Sequence, residues 1–122
     1  FVLRQPPFQP RSSAAGWAVR SASLALEHGA GAVALIAVRG GNGAMEWLAR
    51  QGLWIPPRLD DLEAAMDGAL ALGGGRVFAD LWDLGPLVRC AACREARMQR
   101  LDRMNLSQDV EPRVRCPACC SG

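Results

Sequence analysis

Ala32-Val33-Ala34-Leu35-Ile36-Ala37-Val38 runs without a polar side chain, and Arg39-Gly40-Gly41-Asn42-Gly43 follows it directly. The run shows no apolar–polar alternation. It predicts a strand covered on both faces, central in a mostly parallel sheet. It is also far shorter than the ~18 apolar residues a membrane-crossing helix needs, and no other stretch comes closer. The glycine-rich turn leads into a short helix, Ala44 to Arg50. A strand, a turn and a helix N-terminus in that order make Gly40, Gly41 and Gly43 a candidate anion cradle. The spacing fits neither G-x-G-x-x-G nor a Walker A motif, so a tight turn without a ligand is the plainer reading.

Outward from this centre the elements alternate. Phe1 to Gln5 is a short extended run stopped by Pro6, Pro7 and Pro10, which suits a first or edge strand. Ser12 and Ser13 offer N-caps for a helix to about Glu27, ended by Gly29 and Gly31. Along it Trp17, Arg20, Ser21, Leu24 and His28 follow at helical spacing, while Ala18, Ala22, Ala25 and Leu26 give a small face for close packing. His28, the single histidine, sits at the helix end, where a cap or a dipole contact explains it.

Downstream, Trp54-Ile55-Pro56-Pro57 is a rigid connection. Leu59, Leu62, Met66 and Leu70 mark an amphipathic helix from about Arg58 to Leu72. Asp60, Asp61 and Glu63 fall in its first turn, where the dipole favours negative charge; this is plainer than paired-carboxylate catalysis. Gly73 to Gly75 end the helix, and Arg76 to Trp82 reads as a strand with Asp80 and Asp83 at its C-terminal end. The order β-α-β-(short α)-α-β predicts an α/β fold: a small, mostly parallel sheet flanked by helices over residues 1–86.

Residues 87–122 read as a separate module. Cys90-Ala91-Ala92-Cys93 and Cys116-Pro117-Ala118-Cys119 are two C-x-x-C pairs separated by 22 residues. Each pair bends the backbone so that two thiolates can face one ion, and two pairs complete the four-sulfur shell that zinc (Zn²⁺) prefers. Two disulfides, an iron–sulfur cluster or thiols that bind nothing are the other readings. Five cysteines without a cleavable leader pattern favour a reducing compartment, so a cytoplasmic location is expected. Cys120, the fifth cysteine, stands next to Cys119 beyond the four-ligand set and is expected to react first with alkylating agents.

Charge divides unevenly between the two segments. Residues 1–85 carry seven arginines against eight acids, and residues 86–122 carry seven against four. Lysine is absent, which rules out Schiff-base and P-loop lysine chemistry. Between the cysteine pairs, Arg94 to about Leu106 reads as a helix. Met98, Leu101 and Met104 are its core-facing residues, and Arg94, Arg97, Arg100 and Arg103 recur every three. Those arginines form either a solvated face or a surface for phosphates or an acidic partner.

Residues 1–82 resemble the DsrE/DsrF-like (TusD/TusC) sulfur-relay family. The likeness lies in the opening strand and proline loop, Phe1 to Pro10, the alanine-rich helix ending Leu26-Glu27-His28-Gly29, and the apolar strand with its glycine turn, Val33 to Gly43. It implies a small α/β fold. Active members carry a persulfide-bearing cysteine just after a later strand, whereas here Val77 to Leu81 is followed by Trp82-Asp83 and the first cysteine is Cys90. The resemblance therefore implies a non-catalytic relative that works as a complex subunit.

Three functions follow. The first is a zinc-binding α/β accessory subunit, with a protein partner or a second copy of itself. The second is a nucleic-acid-binding zinc ribbon that presents the arginine helix. The third is a cysteine-dependent sulfur transferase using Cys120 or a metal-bound thiolate. No serine–histidine–acid set can be placed, so no catalytic residue is assigned and an enzyme is the less favoured class. Membrane association is not expected.

Overall fold

The structure, a computed structural model, describes residues 2–4 and 7–119; for residues 2–4 and Arg11 it describes the backbone alone. Phe1, Gln5 and Pro6 of the expected opening segment, and Cys120, lie outside the described residues.

Strands β1 (Val2–Arg4), β2 (Ala32–Ala37) and β3 (Arg76–Ala79) form one parallel sheet in the order β1-β2-β3. Leu35 is in register with Val2, and Val33 with Val77. Helices α1 (Ala14–Glu27), α2 (Ala44–Arg50), α3 (Leu59–Leu70) and α4 (Arg94–Ser107) follow the predicted order. This is the α/β architecture with β2 at its centre. None of the described helices is long and apolar enough to cross a membrane.

The two faces of β2 are not equivalent. Val33, Leu35 and Ala37 are buried, whereas Ala34 and Ile36 are half-buried. Helices α1 and α3 pack on the first face and on each other, so one face has a full cover and the other a partial one. Small residues allow the close approach: Ala18 and Ala22 of α1 share a core with Ala65 and Ala69 of α3. A Cβ at Gly68 would come within 2.7 Å of the Val19 side chain, so even one methyl group would force a shift there.

Local sequence sets the helix ends. Gly29 adopts φ +91°, and Ala30 N–H donates to the Ala25 carbonyl at 3.0 Å, which closes α1 in a Schellman turn. His28 Nδ1 lies 2.9 Å from the Leu24 carbonyl and so serves as part of that cap. Asp61 accepts the Arg58 N–H at 2.8 Å and so caps the start of α3. β3 stops at Ala79, short of the expected Trp82, because Asp80 N–H makes the last bond to Leu35 and Asp83 then turns the chain at φ +49°.

Beyond β3 the chain re-enters the core. Leu84, Leu87 and Val88 are buried in it, and Leu101 and Met104 of α4 are fully buried in the same cluster. Residues 1–86 and the cysteine-bearing segment thus share a single hydrophobic core.

Candidate metal centre

The four thiols converge. Cys90 and Cys93 flank a short 3-10 turn, Ala91–Cys93, that runs straight into α4. Cys116 and Cys119 flank a tight turn in which Cys119 N–H donates to the Cys116 carbonyl at 3.4 Å. Cys90 Sγ lies 3.9 Å from Cys116 Sγ, and Cys93 Sγ lies 3.7 Å from Cys119 Sγ. All four sulfurs lie within 4.8 Å of one another, close enough to hold a metal ion. An ion bonded tetrahedrally at about 2.3 Å to each sulfur would set the sulfurs about 3.8 Å apart, which matches the two short separations.

The site is half sheltered. Cys93 and Cys116 are buried, Cys90 is intermediate and Cys119 is exposed. Burial, reinforced by the neighbouring thiols, pushes the Cys93 thiol up to about 12. A thiolate there therefore needs a cation beside it, and the α4 N-terminus that Cys93 caps supplies only part of that charge.

The arginines between the pairs divide into two sets. Arg94 and Arg103 are exposed, as a solvated face requires. Arg97 and Arg100 are buried, Arg100 completely, so the four do not form one continuous basic surface. Their partners are the acids of α3. Arg97 pairs with Asp60 and reaches Glu63 Oε2 at 2.6 Å through Nη2. Arg100 Nη2 pairs with Asp67 at 2.6 Å, and its Nε donates to the Glu111 and Pro112 carbonyls at 3.1 and 3.0 Å. Arg113 completes the network with Glu63 at 3.1 Å and Asp67 at 2.7 Å.

Burial works against the charge on Arg97, but Glu63 and then Asp60 outweigh it and hold the guanidinium more firmly protonated than usual. Arg103 forms a bidentate pair with Glu111 on the surface, and it holds that carboxyl below its usual range. The acids at the start of α3 thus have a role beyond the helix dipole. Asp61 is the cap, while Asp60 and Glu63 receive the arginines of α4.

Helix α4 also closes the sheet. Asn105 Oδ1 accepts Ala79 N–H at 2.8 Å and its Nδ2 donates to the Ala79 carbonyl at 3.0 Å. Gln108 does the same for Val77, at 2.8 and 2.9 Å. The sequence reading assigned neither residue; the signal available was two amides three positions apart at the end of an otherwise charged helix.

The glycine turn is filled from within the chain. Gly41, at φ +105°, donates its N–H to the Glu46 carboxylate, and Asn42 Oδ1 accepts Met45 N–H at 3.1 Å. The Gly41 bond holds the Glu46 carboxyl below its usual range. A Cβ on Gly40 would meet that same Glu46 oxygen, so the carboxylate would have to shift to make room. The cradle expected at Gly40, Gly41 and Gly43 is therefore the binding place of the chain's own carboxylate.

Asp80 and Asp83, at the C-terminal end of β3, do not act as a pair. Asp80 holds Arg39 at 2.9 Å, and the Arg39 guanidinium also bonds the Trp82 carbonyl and stacks on the Trp82 ring at 4.7 Å. Burial opposes ionisation of Asp80, but the Trp82 N–H and Arg39 together keep its carboxyl below the usual range. Asp83 lines a neighbouring cleft of about 260 Å³ with Val38, Trp54, Pro56 and Leu87. The chain matches no known family model, and no characterised protein or solved structure matches it either.

Proposed function

We propose that this chain is a zinc-stapled accessory α/β subunit that acts through protein contacts. The observation that carries the reading is the set of four sulfurs from two C-x-x-C turns at mutual distances suited to one tetrahedral ion. Thiolates alone in a four-fold set favour zinc among common cytoplasmic divalent ions, and such a set leaves no open position for a substrate. Zinc would be held by Cys90, Cys93, Cys116 and Cys119, and it would tie the start of α4 to the segment that returns from its end.

Two further observations support an accessory role. Arg97 and Arg100, which a nucleic-acid reading needs on the surface, are engaged with Glu63, Asp60 and Asp67. Cys90, the first cysteine after β3, faces the other three thiols, which supports a structural ligand over a persulfide carrier and suits a non-catalytic relative of the sulfur-relay proteins.

The reading is tested by elemental analysis and native mass spectrometry of freshly purified, reduced protein. One zinc per chain is the expected result, and Cys93→Ser should lose it. Protein that holds no zinc, or that carries persulfide on Cys90 with zinc bound, refutes the proposal.

A further inference from the structure

The cleft of about 260 Å³ opens at the C-terminal end of the sheet, where the chain leaves β2 at Val38 and Arg39 and runs on from β3 to Asp83. The crevice beyond the carboxyl ends of parallel strands is where open α/β sheets ordinarily take their ligands. Buried Trp54, Pro57 and Leu87 give the cleft apolar walls, and Arg39 and Asp83 are the charged residues in its lining. Its volume falls just below the ~300–1,000 Å³ of pockets for drug-sized ligands, which suits a group the size of one amino-acid residue.

The two charged residues differ in what they have left to offer. Arg39 Nη2 serves Asp80 and the Trp82 carbonyl, and Asp80 balances its charge. The Arg39 Nε–H, however, is buried and has no hydrogen-bond partner among the described residues. A buried donor left in this way is costly and rare, and it marks a place for an acceptor. Asp83 is the opposite case. Its carboxylate has no hydrogen-bond or ion-pair partner among the described residues. Its backbone nevertheless sits at φ +49°, a left-handed conformation that side-chain-bearing residues rarely adopt and that concentrates at functional sites.

The cleft therefore lacks a positive charge for Asp83 and an acceptor for the Arg39 Nε–H, beside apolar walls. An α-ammonium group next to a carbonyl, on a residue with an apolar side chain, brings all three on neighbouring atoms. A simple amine lacks the acceptor, and a simple carboxylic acid adds a negative charge near Asp80 and Asp83 without supplying the cation. We propose that this cleft binds the α-amino end of an apolar amino acid, free or as the first residue of a peptide. The ammonium would sit on Asp83, and the carbonyl oxygen would accept the Arg39 Nε–H. No metal ligand takes part, so the site stands apart from the zinc reading.

Heteronuclear NMR titration of the full chain as purified tests this. Leucinamide should shift the amide signals of Gly40, Trp54 and Leu87 saturably. Isoamylamine, which lacks the carbonyl, and N-acetyl-leucinamide, which lacks the charge, should each bind at least about tenfold more weakly. Asp83→Asn tolerates the same left-handed backbone and removes only the charge, and it should weaken leucinamide about tenfold. Arg39→Lys keeps a cation for Asp80 but loses the Nε–H. It should bring leucinamide down to the level of isoamylamine and leave isoamylamine unchanged. Free leucine separates the two sources: binding at least as tight as that of leucinamide assigns the site to the free amino acid, and weaker binding assigns it to a peptide N-terminus. The inference is overturned if the folded chain shows no saturable shift with either leucinamide or leucine up to about 10 mM. It is overturned equally if the acetylated ligand binds as well as leucinamide, or if either substitution leaves binding unchanged.

Discussion

Glu63→Gln removes one negative charge from a site where three arginines meet. Glu63 and Arg97 are 2% and 6% exposed at their side chains, so water and salt screen their attraction little. Arg97 binds both carboxylate oxygens, at 2.6 and 3.3 Å, and Arg113 shares one of them at 3.1 Å. An amide at this position turns one acceptor into a donor that faces a guanidinium. It also leaves buried Arg100 with only Asp67 as a charged partner. Breaking a buried ion pair from one side costs about 3–5 kcal/mol. For a domain of this size that corresponds to a fall in melting temperature of about 10–15 °C. Calorimetry with excess zinc, at low and high salt, measures it. The loss should persist at high salt, because the pair is buried. A melting temperature within a degree or two of wild type would refute the reasoning and show that the network contributes little net stability.

Arg103→Gln breaks an exposed pair with Glu111, and the same measurement should find the melting temperature almost unchanged. Glu111 has a lowered pKa, so whatever that pair contributes is present above the ordinary carboxylate range and lost as pH falls through the folded value; a pH titration of stability should lose that small increment in Arg103→Gln. The metal-free chain should lose stability as pH rises from about 9 toward about 12. Cys93, raised to about 12 from its ordinary 9.0, ionises in the unfolded chain first, and denaturation of the chelated protein across that range checks the sign. Zinc affinity should rise with pH, because the thiols release protons on binding, and chelator competition at several pH values measures this. Wild type should leave a mobility-shift assay blank at low salt; a salt-dependent shift that Arg94→Gln with Arg103→Gln removes would restore the nucleic-acid reading.

Much of the fold was legible because it rests on short-range patterns. The apolar run at Ala32 to Val38 and the alanine face at Ala18 and Ala22 each act within a few residues. The cysteine spacing likewise carried the convergence of the four thiols. Pairings between distant segments were harder to see. Asp60, Glu63 and Asp67 are spaced three and four apart on α3, and they meet Arg97, Arg100 and Arg113 from the other end of the chain. Read alone, each set resembles a solvated helix face, and only the packing of α4 against α3 turns both inward. The glycine turn left two readings open for a similar reason. A loop that can hold an anion is the same in sequence whether the anion is a ligand or, as here, Glu46.

The common core has a practical consequence for any shortened chain. Cutting near residue 86, where the composition changes, would not release two folding units. The first part would keep Glu63 without its counter-charges and a hole where Leu101 and Met104 sit. The cysteine segment would carry those two apolar side chains into water. Two buried aliphatic side chains of this kind are worth roughly 3–6 kcal/mol together, a large share of what holds a domain of this size folded. Heat should therefore melt the zinc-loaded chain in one transition, and proteolysis should find no stable intermediate fragment on either side of residue 86.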